Sequence, residues 1–360
     1  MTLSTLVISI AIVALLLTFV VGGVLRKVNN WLVSYLQNFT GALFVFSGWV
    51  KAIDPLGTAY KMEQYFAEFA SLFDGTWLAF LNPIFPWLNE SSVTFSVIVI
   101  VFEIVLGIML LLGAARRFTA WAFLLLVVFF TFLTGFTYLT GYVPEGVHFF
   151  QFGQWGEYVA TNMKVTDCGC FGDFLKLEPR ISFFKDLVLL LPAVLFVAMP
   201  GKMHQLFSRT GRWGFIALAT AGLTVYCLSN FVWDLPHTDF RPFKEGVNIR
   251  ERKALEEEAQ INVEILAYRM TNKETGRVVE LPYEQYLKEF KQYPKEEWEL
   301  EQVKSEPEVP RTKISDFEVS DLENNDVTAD ILSISGYHFM VVAHKLYGAA
   351  GDWNPDYLHT

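Results

Sequence analysis

This sequence is poor in metal-ligating side chains. It has three cysteines and six histidines in 360 residues, and only His148 shares a stretch with Cys168 and Cys170. A zinc site takes four ligands at wider spacing, so metal binding by that pair is disfavoured. The first apolar run has neither a basic lead-in nor a small-residue cleavage site, which argues for a retained span over a removed signal peptide. No internal repeat or low-complexity segment is present, and the absence of an inverted repeat or paired broken helices counts against a transporter. The polar tail after Trp233 has no positive excess. It holds 15 basic against 26 acidic residues, a balance of −11 in a chain of −10. Such a tail repels phosphate backbones and excludes nucleic acid as a partner.

What the sequence does have is apolar surface: 52% of residues are hydrophobic and 16% aromatic, gathered into long runs. Six spans are expected, at Leu3 to Leu25, Tyr35 to Ile53, Val93 to Leu112, Phe118 to Leu139, Ser182 to Met199 and Gly214 to Trp233. Each is near the roughly 20 residues a bilayer core demands. The fold class expected is an all-α polytopic membrane bundle with a small α+β soluble tail.

Charge orients the spans, because Lys and Arg beside a span stay cytoplasmic. The connections after spans one, three and five carry Arg26, Lys27, Arg116, Arg117, Lys202, Arg209 and Arg212 with no acidic residue. The others carry Asp54, Glu63, Glu68, Asp74, Glu90, Glu145, Glu157, Asp167, Asp173, Glu178 and Asp186 against five basic residues, Lys61, Lys164, Lys176, Arg180 and Lys185. The N-terminus and the tail are therefore expected outside, on the periplasmic side of a bacterial inner membrane. Trp31, Trp121 and Trp213 then fall at inner ends, and Trp49, Trp87 and Trp233 at outer ends, where an indole is comfortable.

The organisation expected is an anchor helix over 1–32, a bundle over 33–233 with an outer loop at 140–181, an α+β segment over 234–303 and a further segment over 304–360. In the connection "KMEQYFAEFASLF" from Lys61, Met62, Tyr65, Phe66, Phe69 and Phe73 recur at helical spacing. They predict an amphipathic helix on the membrane surface or packed over the bundle, as a lid or as a gate. In the tail, "RERKALEEEAQ" from Arg250 reads as a charged helix and "INVEILAYRMTNKETGRVVEL" from Ile261 as a hairpin. "PYEQYLKEFKQY" from Pro282 reads as a helix opened by proline, and "KSEPEVPRTK" from Lys304 as a linker.

The stretch "VTDCGCFGDF" from Val165 carries the candidate chemistry. Outside the cytoplasm, thiols are free to be oxidised. Residues i and i+2 around a glycine can reach disulfide separation, and so small a ring should oxidise other thiols readily. Gly172 is expected to keep the sulfurs accessible. Asp167 and Asp173 disfavour a thiolate, while Lys164 and Lys176 offset them. Redox exchange at Cys168 and Cys170 stands beside a fixed structural bridge. Cys227, in span six, is read as a small hydrophobe or as a resolving thiol. Glu103 sits near the middle of span three, where a charge is expensive and marks function by default. It has a proton-linked or quinone-adjacent role, or is a protonated acid bonded between helices. Lys51, near an outer end, is expected to snorkel.

The segments "NFTGALFVFSGWVKAIDPLGTAYKMEQYF" from Asn38 and "VFEIVLGIMLLLGAARRFTAWAFLLL" from Val101 resemble the core of the DoxX family. "DCGCFGDFLKLEPRISFFKDLVLLL" from Asp167 is similar to the related MauE branch, so the resemblance spans residues 33 to 200. It implies a four-helix membrane core and a link to disulfide handling in periplasmic enzyme maturation. "KISDFEVSDLENNDVTADILSISGYHFMVVAHKL" from Lys313 resembles the opening of a thioredoxin-like domain: a strand, a polar turn, a short helix, then an apolar strand through Phe339 to Ala343. No cysteine follows, and the segment stops before the rest of that fold. The function expected is thiol-disulfide exchange with a periplasmic thiol client, as an oxidoreductase with a quinone as acceptor. The alternative is a non-catalytic scaffold that docks a partner or assembly factor through its tail.

Overall fold

The computed structural model describes residues 2–165, 169–232, 238–305 and 307–336. The chain forms two compact units, residues 1–241 and 242–360.

The first unit is helical. Helix α1 (Leu3–Phe19) runs on through a wider turn to Val24, and α2 covers Trp31–Ile53. Asn30 caps α2, its Oδ1 accepting from the Val33 amide at 3.0 Å. Asp54 closes α2 and opens α3 (Pro55–Phe73), accepting from the Gly57 amide with proline at the first helical position. The short α4 (Ile84–Glu90) leads into α5 (Ser92–Leu112), which Gly113 ends in the left-handed conformation. Helices α6 (Arg116–Thr140), α7 (Pro179–Ala198) and α8 (Arg209–Cys227) complete the unit.

Among the described residues, five helices are long and apolar enough to cross a membrane: Leu3–Val24, Ser92–Leu112, Arg116–Thr140, Pro179–Ala198 and Arg209–Asn230. The sixth expected span, α2, has the length but not the composition, and its burial explains why. It packs between α1 and α5 and buries Ser34, Gln37, Asn38, Thr40, Ser47 and Lys51. A helix surrounded by protein need not be apolar, provided its polar groups are bonded. Asn38 donates to Thr18 Oγ1 of α1 at 2.9 Å, and Gln37 donates to the Leu110 carbonyl of α5 at 2.6 Å. Beside Gln37 lies buried His204. Its Nε2 is 3.1 Å from the Leu111 carbonyl, so that nitrogen carries the proton, and burial lowers the imidazole pKa. Phe44, Phe123 and Phe196 stack through the core with ring centroids 4.8 and 5.8 Å apart.

The amphipathic pattern from Lys61 is the second half of α3. It buries Tyr65, Phe69 and Leu72 and clusters with Phe136 of α6, so its apolar face is packed over the bundle.

The second unit opens with α9 (Ile249–Ile261) and a three-stranded antiparallel sheet of order β2-β1-β3, formed by β1 (Ile265–Asn272), β2 (Val278–Pro282) and β3 (Trp298–Lys304). The expected hairpin is present, turning at Gly276 with φ +67°. Strand β3 goes beyond it: "WELEQVK" adds to β1 across a long sequence separation, pairing Met270 with Leu300. Helix α10 (Tyr283–Glu289) packs on β1, where Tyr286 meets Tyr268 at 4.1 Å. Buried Glu256 of α9 ties down the following segment, accepting from the Thr312 amide, Thr312 Oγ1, Ser315 Oγ and Arg252. Burial opposes its charge, yet these bonds hold its pKa down to about 2. The expected thioredoxin-like opening differs. Residues 313–316 turn, and only an isolated bridge joins Ser320 to Asp326 before α11 (Thr328–Ser333). The apolar strand from Phe339 lies outside the described residues.

Candidate functional site at the cysteine turn

Gly169, Cys170, Phe171 and Gly172 form a tight turn, closed by the Gly172 amide donating to the Gly169 carbonyl at 3.2 Å. Both glycines have positive φ, +61° and +53°, which side chains rarely adopt. Backbone conformation by itself calls for glycine at 172. Phe171 is a buried plug in the core cluster, 6.4 Å from Phe46 by ring centroids. Cys170 is half-buried, and its carbonyl accepts from Ser47 Oγ of α2 at 2.9 Å. Cys168 lies outside the described residues, as do Thr166 and Asp167.

The turn is seated on two helices. A Cβ at Gly172 would lie 3.9 Å from the Val50 carbonyl of α2, and one at Gly169 would lie 3.3 Å from Lys61 Cγ of α3. Sequence reasoning missed Lys61, whose helix meets the turn only in the folded state. Beyond the turn, Lys176 pairs with Asp173 at 3.2 Å, with both side chains partly exposed. Asp54 feels this neighbourhood. Burial raises its carboxyl pKa, the Gly57 amide and Arg241 oppose that, and Asp173 and Asp239 add to it.

One helical turn from Ser47, Lys51 departs from expectation. It does not snorkel: its Nζ lies 2.7 Å from Glu103 Oε2, with side chains 7% and 2% exposed, and 5.0 Å from the Phe130 ring centre. The cause is the close approach of α2 and α5. A Cβ at Gly48 would sit 2.4 Å from Ile104 Cγ1, and one at Gly107 would sit 2.8 Å from the Gly41 carbonyl. With small residues at this seam, the helices come near enough for the lysine to reach inward. Glu103 is therefore bonded between helices, from α5 to Lys51 of α2.

A second buried charge joins it. Asp186, counted from sequence with the outer connections, lies in α7 and is 1% exposed. Thr134 Oγ1 of α6 donates to it at 3.0 Å, and Lys185 Nζ pairs with it at 2.6 Å. That same ammonium is 5.8 Å from the Phe171 ring centre. The available signal was "FFKDLVLL", two charges inside a predicted span. The fold thus sets two ion pairs near the cysteine turn, the buried Lys51–Glu103 one turn along α2 and the half-buried Lys185–Asp186 beside Phe171. Cys227 is fully buried with Ala52, Val97 and Ile100 as a free thiol. Among the described residues, no group of three or more His, Cys, Asp or Glu is placed to hold a metal.

Compared with known proteins, residues 29–144 match the family described as "Methylamine utilisation protein MauE". The matched stretch covers α2 to α6 and ends before the cysteine turn. No curated protein matches the chain, and no solved structure does.

Proposed function

Residues 29–144 match the MauE family, and from that likeness we propose that the chain exchanges disulfides with an extracytoplasmic thiol protein through Cys168 and Cys170. The observation that carries this reading is the seating of Cys170: its turn is held on α2 by Ser47, one helical turn from the buried Lys51–Glu103 pair. Structural loops need no such neighbour, whereas thiol chemistry moves protons together with electrons.

In the proposed step a client thiolate attacks one sulfur of the Cys168–Cys170 disulfide. A mixed disulfide forms and the other loop sulfur leaves as thiolate. The second client thiol, deprotonated, attacks the mixed disulfide. The client leaves oxidised and the loop reduced, with two electrons and two protons transferred. A quinone is the class of acceptor that would take up two electrons and two protons and restore the loop. Glu103, held by Lys51, is the group proposed to accept a proton on this path. The sided distribution of basic residues supports a cysteine end facing the periplasm of a bacterial inner membrane.

The second reading, a scaffold docking a partner through the tail, draws on one observation: the MauE match ends before the cysteines. The two readings separate in a trapping experiment. Cys170→Ser should capture oxidised client: the Cys168 thiolate attacks the client disulfide, the reverse of the exchange, one client sulfur leaves as thiolate, and the mixed disulfide, with no neighbouring loop thiol to resolve it, is detected by mass spectrometry after acid quench and alkylation. A membrane-impermeant maleimide should label the reduced loop in intact spheroplasts. Full function in both Cys168→Ser and Cys170→Ser, with no mixed disulfide, would abandon exchange in favour of the scaffold.

A further inference from the structure

Between Asp74 and Glu90 lie fifteen residues, "GTWLAFLNPIFPWLN", without one Asp, Glu, Lys or Arg. They connect α3 to α5 through turns, a short 3-10 segment at Ala79–Leu81 and α4. A water-facing connection of that length ordinarily carries charge and buries its large apolar groups. Here Trp77 is 82% exposed, Phe80 68%, Trp87 59% and Ile84 46%.

The segment is folded and docked. Phe85 lies 5.7 Å from Phe73 in the cluster that includes Phe69 and Phe136. The backbone also bonds to itself: the amides of Thr76, Ala79, Leu81, Asn82 and Phe85 each donate to a carbonyl three residues earlier, at 2.9 to 3.2 Å. Such internal satisfaction is what backbone needs where water is scarce. One face therefore packs on the bundle, and the other presents tryptophan and phenylalanine outward.

That outward face continues the lipid-facing surface of a spanning helix. The Trp87 ring meets Phe95 edge-on at 5.5 Å. Phe95 opens the row Phe95, Ile98 and Phe102 along α5, of which Ile98 is 56% and Phe102 40% exposed. Indole and phenyl groups with no nearby charge favour the boundary between headgroups and acyl chains. With seven residues, α4 is far too short to cross.

We propose that residues 75–89 form a wedge seated in the membrane interface at the cysteine end of the bundle, with lipid as the occupant of its aromatic face. The wedge fixes the position of α3, and through Lys61 the position of the Gly169 turn, relative to the bilayer surface. This assignment is independent of the redox reading.

A nitroxide at position 77 or 87 tests it in the full chain, reconstituted in phosphatidylethanolamine–phosphatidylglycerol nanodiscs. The labelled variants are Trp77→Cys and Trp87→Cys in a Cys168→Ser, Cys170→Ser, Cys227→Ala background, accepted only if far-UV circular dichroism and melting match that background. Labels at Ile98→Cys and Lys273→Cys give the lipid and water references. The ratio of collisions with oxygen to those with a neutral nickel chelate should be several-fold higher at 77 and 87 than at 273, approaching that at 98. A ratio equal to that at 273 would overturn the wedge. So would low collision with both reagents, which would mean that protein covers the face. Should Trp77→Cys and Trp87→Cys fail to match, the same measurement at Phe80→Cys decides.

Discussion

Removing one partner of the Lys51–Glu103 pair should be far more damaging than removing both. At 2.7 Å and an effective dielectric of about 20, the Coulomb attraction is about 6 kcal/mol before desolvation is counted. Desolvation of both ions offsets most of it. Replacing a buried pair by apolar groups is therefore neutral to stabilising, whereas stranding one charge costs about 3–5 kcal/mol. The side chains are 7% and 2% exposed, so water cannot rescue a stranded lysine or glutamate. Lys51→Met and Glu103→Gln should each lower the melting temperature by on the order of 10 °C. Lys51→Met with Glu103→Met should melt close to wild type. The assay is thermal unfolding in one defined detergent, arranged as a double-mutant cycle. Typical interhelical hydrogen bonds in membranes couple by about 0.6 kcal/mol, so the expected coupling of several kcal/mol is well separated from an ordinary polar contact. Additive single losses in the double variant would refute a paired charge and the burial argument with it.

In the tail, the Glu256 pKa falls from 4.5 unfolded to about 2 folded. Its contribution of about 3 kcal/mol is fully present above pH 4.5 and lost as pH falls through about 2. Hydrogen exchange of α9 and residues 312–317 in the full chain should become faster over that window, and Glu256→Gln should flatten the dependence. Gly113→Ala should destabilise much more than Gly75→Ala. Both have positive φ, costing about 1–2 kcal/mol for a side chain, but a Cβ at 113 would fall 1.8 Å from the His204 carbonyl while one at 75 meets nothing within 4 Å. Equal melting temperatures for the two would contradict the α5 end as described.

Local sequence determined much of this protein. Long apolar runs, proline at positions 55 and 179, and caps such as Asn30 and Ser208 define helices through near-neighbour chemistry, which is why five spans and the α3 amphipathic face were legible. The tail hairpin followed from β-prone runs around a glycine turn for the same reason. The tertiary structure decided what depends on distant partners. Its run of apolar residues suggested α2 as another span, but its neighbours made it the enclosed helix that tolerates Gln37, Asn38 and Lys51. Lys51 and Glu103 are 52 residues apart in sequence, as are Thr134 and Asp186. No period or spacing links such residues; a glycine seam and helix packing do. Strand β3 likewise found β1 only across the fold. The cysteines could be named from sequence, but that Ser47, Lys61 and Lys185 gather at their turn came from packing, because side chains on separate helices acquire a common environment only when those helices meet.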